Sequence, residues 1–444
     1  MTTESTPSPS RIRRDCVVPP APTAGVPTRR GVSLGVASME RFRRVASRLK
    51  GSLFFLPPLV VTSLVLASIP NRSDVALYHH YASEALATPL LHTLPNEYPA
   101  LSLIIFLIPQ ALPLAYWLGF GLLTAAACVA LVLSSDGLER YPGWSRRTCI
   151  YLFLGTLSVL FTRYDIVPVL AAVLAVEGAR RRQWGRAWAW ATLGGLLKLF
   201  PFLLLPGFLV LERVQTGKWA VRRALAASAP IVVVVAAQTL LAPGSAWSPL
   251  RFQLRRGFEL SSLQGSLTLL TDPLHLRWLG AFGSDEVVGQ GRLLISVLVT
   301  TAAVLALACL WRLAAHGRLS VEAVSLAALT VGVLADKAFA PQYLIWLVPL
   351  WAYWPVRRGW VAVAALTTLV YPVLYAKNGP FGPHDLYVAT VSGAVRNTVL
   401  LVASAMWLVG QLRTTNRHQA PEIQPETRPE IARDLPGAPV ALAK

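Results

Sequence analysis

Long apolar runs separated by short polar breaks dominate the chain, at residues 51–70, 99–134, 148–162, 166–179, 187–198, 200–211, 224–242, 292–314, 320–335, 341–355, 359–376 and 390–411. About 20 apolar residues suffice for an α-helix to cross a bilayer, and Gly51–Pro70 has that length. The block 99–134 is too long for one crossing and is broken by Pro109 and Pro113. Counted as one crossing plus a short re-entrant or interfacial piece near 99–112, it leaves every basic run on the same side. The pattern therefore predicts an all-α polytopic membrane protein of about 12 transmembrane helices. Pro168, Pro201, Pro206 and Pro349 lie in or beside these blocks. There they either kink packed helices or open backbone toward a cavity.

Composition agrees: of 444 residues, 54% are hydrophobic and only 14% charged, far from the balance of a soluble domain. The net charge of +19 invites a nucleic-acid reading, but its distribution argues against one. Arg180-Arg181-Arg182, Arg222-Arg223 and Arg357-Arg358 sit at the ends of apolar blocks. That arrangement sets topology, with membrane lipid head groups as the partner. Arg41, Arg43, Arg44, Arg48 and Lys50 precede the first block, so the residues after it are expected outside the cytoplasm. Residues 1–50 and 412–444, rich in Pro, Arg and small or acidic residues, read as disordered cytoplasmic tails around a membrane domain at 51–411. Cys16, Cys128, Cys149 and Cys309 have no metal-ligand spacing, and neither a disulfide framework nor a metal site is expected.

With this topology the remaining polar residues gather at the outer ends of the blocks. Asp74, Arg163, Tyr164, Asp165, Lys198, Asp336, Lys337, Gln342, Lys377, His384 and Asp385 all map there, as does the loop from Pro243 to Gly291. Asp74 has two readings, the N-cap of a surface helix through Tyr81 and Ala85, or a general base at the membrane face. Glu84 and Glu97 are weaker carboxylates of the same region, and His79 and His80 read as surface residues or as ligands of a metal or phosphate. Lys198 stands alone in an apolar run, where a cation either snorkels or marks a functional site. Arg396 is similar, and Lys337 either pairs with Asp336 or joins Lys198, Arg255, Arg256 and Arg396 around a phosphate. A phosphate leaving group needs cations but no general acid, so one carboxylate base with several cations is enough for glycosyl transfer from a lipid-linked sugar phosphate. No phosphate-cradling glycine motif and no Asp-x-Asp metal motif occurs, which favours a lipid-phosphate donor over a nucleotide sugar. No cofactor is expected.

Asp74 with Tyr78 and Tyr81, followed by Asn96-Glu97-Tyr98-Pro99-Ala100-Leu101, resembles the first outer loop of glycosyltransferase family 87, the polyprenol-phosphate-mannose-dependent mannosyltransferases of the GT-C class. Gly194-Gly195-Leu196-Leu197-Lys198-Leu199-Phe200-Pro201, the stretch from Arg256 to Ser266, and Phe339-Ala340-Pro341-Gln342-Tyr343 onward add to the likeness. It spans most of residues 51–411. The resemblance implies an inverting transfer, usually of mannose, from a polyprenyl-phosphate donor to a lipid or glycan acceptor on the outer face of the plasma membrane. Asp74 would be the base. Lys198, Arg255, Arg256, Glu259, Lys337 and Arg396 would surround the donor phosphate, and Gln342 and Tyr343 would line the sugar pocket. The chain departs from the family pattern at Thr162-Arg163-Tyr164-Asp165, where members carry a Gly-Gln-x-Asn-like element, and at Ala100, where many carry a second Pro. A transporter or flippase of lipid-linked sugars is the alternative, and would need polar residues through the whole bilayer depth. A non-catalytic envelope assembly protein would instead tolerate loss of the Asp74 carboxylate.

Overall fold

The computed structural model describes residues 74–87, 94–95, 97–134, 141–242, 247–374 and 384–419, all of them in one compact unit, Arg48–Lys444. The first apolar block at 51–70, the N-terminal tail and Lys377 lie outside the described residues. Fifteen α-helices occur among the described residues. In chain order they are α1 (Asp74–Ala87), α2 (Ser102–Gln110), α3 (Tyr116–Leu133), α4 (Trp144–Leu160), α5 (Ile166–Arg180), α6 (Trp184–Leu197), α7 (Leu204–Thr216) and α8 (Val221–Leu241). They continue as α9 (Ser248–Arg255), α10 (Leu263–Thr271), α11 (Arg292–Ala315), α12 (Val321–Ala335), α13 (Leu344–Trp351), α14 (Arg358–Thr368) and α15 (His384–Gln419). Every apolar block from 99 onward becomes a helix or a pair of helices, and 99–134 splits into the short α2 and the longer α3.

Helix length by itself marks fewer crossings than the expected count of about 12. Among the described residues, four helices are long and apolar enough to cross a membrane: Tyr116–Leu133, Val221–Leu240, Arg292–Ala315 and Leu386–Thr414. The others are shorter because Pro and polar residues interrupt them, and several are wrapped by protein. In α5, 11 of 15 residues are buried, and in α12, 12 of 15. The lipid-facing character falls instead on α8 and α11, which expose Leu225, Val232, Val233, Leu293, Leu298, Val304 and Leu305. The last helix also runs on to Gln419, past the expected boundary at 411.

Small residues let the central helices approach closely. A Cβ on Gly178 would lie 3.0 Å from the Ala187 backbone nitrogen, and one on Gly194 would lie 3.1 Å from the Ala171 Cβ. This is the small-residue seam on which helices pack without a hydrophobic driving force. At its far end α6 stops at Leu197, and Lys198 is extended (φ −158°, ψ 131°) before a 3₁₀ turn at Phe200–Leu203. The chain folds straight back over Gly195, where a Cβ would sit 2.3 Å from the Phe202 ring. Pro201 has no N–H to offer the Leu197 carbonyl, and the Tyr164 hydroxyl donates to that carbonyl at 3.2 Å instead.

The segment expected as a plain outer loop is structured, and it corrects the all-α expectation. Strands β1 (Phe258–Glu259), β2 (Arg277–Ala281) and β3 (Ser284–Val288) form an antiparallel sheet in the order β1-β3-β2. The β2–β3 hairpin pairs Ala281 with Ser284 around Phe282 (φ 51°) and Gly283 (φ 72°). Two positive φ values in a two-residue loop define a type I′ turn. Its Phe-Gly sequence lacks the Asn-Gly or Asp-Gly signal, which is why the pattern did not announce it.

The basic helix ends meet at one pole of the bundle. Arg147 Nε donates to the Ala352 carbonyl at 2.8 Å, the Arg357 N–H donates to the Tyr151 hydroxyl at 3.2 Å, and the Tyr141 hydroxyl donates to Glu322 at 2.9 Å. There the buried Glu177 holds Arg180 and Arg181, and Glu212 holds Arg223. The opposite ends of the same helices enclose a cavity.

Candidate functional site

A cavity of about 750 Å³ is lined from many separate parts of the chain, most of them helix ends or connecting segments, with Glu259 and Ser284 coming from strands and Ser296 and Thr300 from α11. Four carboxyls, on Asp74, Glu97, Glu259 and Asp336, face it together with four cations, on Arg163, Lys198, Arg256 and Lys337. Gln342 and Tyr343 complete the polar wall, and the hairpin tip Phe282–Ser284 closes another side.

Asp74 opens α1, which docks through Val75, Tyr78, Tyr81, Ala82 and Ala85. That spacing puts one stripe against the bundle and leaves Asp74 at the cavity rim. Beneath it Tyr78 stacks on Phe106 at 4.4 Å and meets Tyr98 and Tyr164 edge-on. The Asp74 carboxylate pairs with Arg163 and accepts from the Tyr98 hydroxyl at 3.5 Å. Glu97 accepts from Tyr81 on the same wall.

Lys198 is not the lone cation its apolar surroundings suggest. Its ammonium donates to Asp165 Oδ1 at 2.7 Å and lies 4.9 Å from the Tyr164 ring centre, 5.7 Å from Tyr343 and 5.6 Å from Trp346. Trp346 Nε1 donates to the same Oδ1 at 2.6 Å, and its ring is sandwiched between Phe200 at 4.2 Å and Tyr343 at 4.0 Å. The sequence reading gave Asp165 and Trp346 no role. A signal did exist: α5 and α6 have 15 and 14 residues, so a hairpin of the two brings 165 and 198 to one level.

Arg256 and Lys337 differ from Arg163 and Lys198 in pairing only with neutral acceptors among the described residues. Arg256 Nη2 donates to Ser284 Oγ at 2.7 Å while its buried Nε has no partner, and Lys337 Nζ donates to the Leu254 carbonyl at 3.0 Å. Lys337 does not pair with Asp336, whose Oδ1 accepts from the Ala338 N–H at 2.8 Å. Burial lowers the Lys337 ammonium's affinity for its proton and raises that of the Asp336 carboxyl. Arg256 and Lys337 are thus the wall cations best able to take an anionic ligand.

Two expected phosphate ligands lie elsewhere. Arg255 is exposed on α9 and is not part of the cavity wall. Arg396 is wholly buried and also absent from the wall. Its Nη2 donates to the Ser261 carbonyl at 2.5 Å and the Phe339 carbonyl at 3.3 Å, and its guanidinium lies 3.9 Å from the Phe339 ring centre. Arg396 therefore ties two wall segments together from behind. His79 stacks on Tyr116 at 4.5 Å and His80 lies 3.2 Å from Glu84, both away from the wall. No group of three or more His, Cys, Asp or Glu that could hold a metal ion occurs among the described residues.

Glu259 is only 2% exposed and accepts from the Ser261 N–H at 3.0 Å and the Ser261 hydroxyl at 2.8 Å. Burial, only partly offset by the Ser261 hydroxyl, pushes its carboxyl up from 4.5 to about 7. Between pH 4.5 and pH 7 the unfolded chain releases this proton while the folded chain keeps it. Stability therefore falls as pH rises through that window, by roughly 3 kcal/mol, and is flat above it. Glu259→Gln removes this slope. In detergent its melting temperature is expected to exceed that of the wild type at pH 8 and not at pH 5. Parallel curves for the two proteins would contradict the assignment.

No curated protein matches the chain, and no solved structure does. The sequence profile of glycosyltransferase family 87 matches residues 97–336, more than half of the 444. The matched stretch supplies Arg163, Lys198, Arg256, Glu259 and Asp336 to the wall, while Asp74, Lys337, Gln342 and Tyr343 flank it. A family-wide likeness that ends at the cavity on both sides, on a helical protein with apolar membrane-crossing helices, makes this chain a membrane glycosyltransferase, a member of glycosyltransferase family 87.

Proposed function

We propose that the cavity transfers a sugar, mannose in the first instance, from a polyprenyl-phosphate donor to a hydroxyl of a lipid or glycan acceptor. The observation that carries this reading is the meeting of Asp74 with Lys198, Arg256 and Lys337 around one cavity. Arg256 and Lys337, aided by Lys198, hold the donor phosphate, while Gln342 and Tyr343 border the sugar. Asp74, paired with and oriented by Arg163, takes the proton of the acceptor hydroxyl. The freed oxygen lone pair bonds to the anomeric carbon as the bond from that carbon to the phosphate oxygen breaks. The departing electron pair stays on the phosphate, where the cations stabilise it. Attack from the face opposite the phosphate inverts the anomeric centre.

The segregation of basic helix ends from the cavity supports a GT-C type arrangement in a bacterial plasma membrane, with about 12 crossings, cytoplasmic tails and an extracytoplasmic site. Because the polar wall is built from helix ends at one pole, it does not supply the through-bilayer path that a flippase requires. Membranes carrying the chain are expected to form labelled product from radiolabelled polyprenyl-phosphate mannose, and membranes lacking it are not. Product formed only from nucleotide mannose, with synthesis of the lipid donor blocked, would overturn the donor assignment. Movement of the lipid-linked sugar across vesicles without product would favour the transporter.

A further inference from the structure

The turn between α4 and α5 carries two charges that reach in different directions. Arg163 pairs with Asp74, and Asp165, two residues on, pairs with Lys198. Asp165 itself is wholly buried and is not part of the cavity wall. One oxygen, Oδ1, accepts both the Lys198 ammonium and the Trp346 indole N–H, while Oδ2 is buried with no hydrogen-bond partner among the described residues. A buried carboxylate with one oxygen unsatisfied is costly, and pairing it with a cation seldom stabilises a fold relative to apolar packing. Its geometry does, however, fix two groups that face the cavity. The ammonium is held against the wall instead of snorkelling, and the indole is locked within the Phe200–Trp346–Tyr343 stack.

We infer that Asp165 is a positioning residue for the donor: it sets the Lys198 ammonium and the Trp346 ring as one rigid unit that receives the phosphate and the adjoining sugar. The inference rests on the reading of the cavity as a site for a polyprenyl-phosphate sugar. Asp165→Asn keeps shape and acceptor oxygen but removes the charge that anchors the ammonium. It should raise the donor KM about tenfold, equivalent to about 1.4 kcal/mol, with the acceptor KM within about twofold of wild type. The effect must act through Lys198. In a Lys198→Gln background, adding Asp165→Asn should change the donor KM no further.

Since Lys198→Gln alone leaves Asp165 buried without its cation, the Asp165→Asn/Lys198→Gln double variant provides a neutral pair with better prospects of folding. Binding of a short-chain polyprenyl phosphate to the purified, monodisperse fraction gives a second readout independent of turnover. The expected order of affinity is wild type above Asp165→Asn, with Asp165→Asn equal to or above the double variant. Uniform losses of kcat and both KM values, or an undiminished Asp165→Asn effect without Lys198, would reduce Asp165 to a structural role and overturn the inference. Unchanged donor binding in Asp165→Asn would overturn it as well. If the wild-type protein itself neither binds polyprenyl phosphate nor transfers sugar from it, the reading of the cavity fails first, and that result is distinct from the others.

Discussion

Replacing Asp74 with asparagine should cut the turnover of sugar transfer by about 10²–10⁴-fold, the range seen when a positioned general base is removed. The substitution is nearly isosteric, and α1 is fastened by Val75, Tyr78, Tyr81, Ala82 and Ala85, none of which it disturbs. Arg163 loses its partner, but its side chain is about a quarter exposed (24%) and can be hydrated. Abundance and melting temperature should therefore stay close to wild type, and the donor KM should change little. Turnover at wild-type level would remove Asp74 from the chemistry and pass the role of base to Glu97, Glu259 or Asp336, the other carboxyls on the wall.

Arg396→Met should produce the second large effect, on stability rather than on donor recognition. The guanidinium links the Ser261 and Phe339 carbonyls from behind the cavity, and Asn397 adds bonds to the Ser261 carbonyl at 2.9 Å and Ser266 at 3.1 Å. Losing a buried charged donor from such a network costs on the order of 3 kcal/mol. The yield of folded protein and its melting temperature should drop, while the surviving fraction keeps an ordinary donor KM. The opposite outcome, a selective rise in donor KM at unchanged stability, would return Arg396 to the phosphate.

How far the sequence revealed the molecule follows from which interactions are local. Apolar blocks are local, so α2 to α8 and α11 to α14 were legible to within a few residues, including the break at Pro109 and Pro113, while α9 and α10 fell in the segment read as a loop and α15 runs beyond its block at both ends. Whether a block crosses a bilayer is not local. The helices α5 and α12 are buried by protein along most of their length, and nothing in their own sequence separates that from burial in lipid. The hairpin tip at Phe282-Gly283 escaped notice because its turn residues are unusual for the type I′ geometry they adopt.

Site residues show the same division. Clustering of polar residues at one set of helix ends follows from topology, and Asp74, Arg163, Lys198, Asp336, Lys337 and Gln342 do share the cavity. Pairing among them depends on contacts between residues far apart in sequence. Asp165 meets Trp346 across 181 positions and Arg396 meets the Ser261 carbonyl across 135. Those contacts turned an apparently unpaired Lys198 into a braced one, and an apparent phosphate ligand into a buried tie. Both corrections concern charges in apolar segments, where a cation's partner decides what it does.

The most direct measurement is the anomeric configuration of the product made by purified protein reconstituted in vesicles with a polyprenyl-phosphate sugar of known anomer. A single displacement with Asp74 as base gives a product inverted at the anomeric carbon. A product that retains the donor's configuration would require two displacements through a covalent or ion-paired intermediate, and would contradict the role assigned to Asp74.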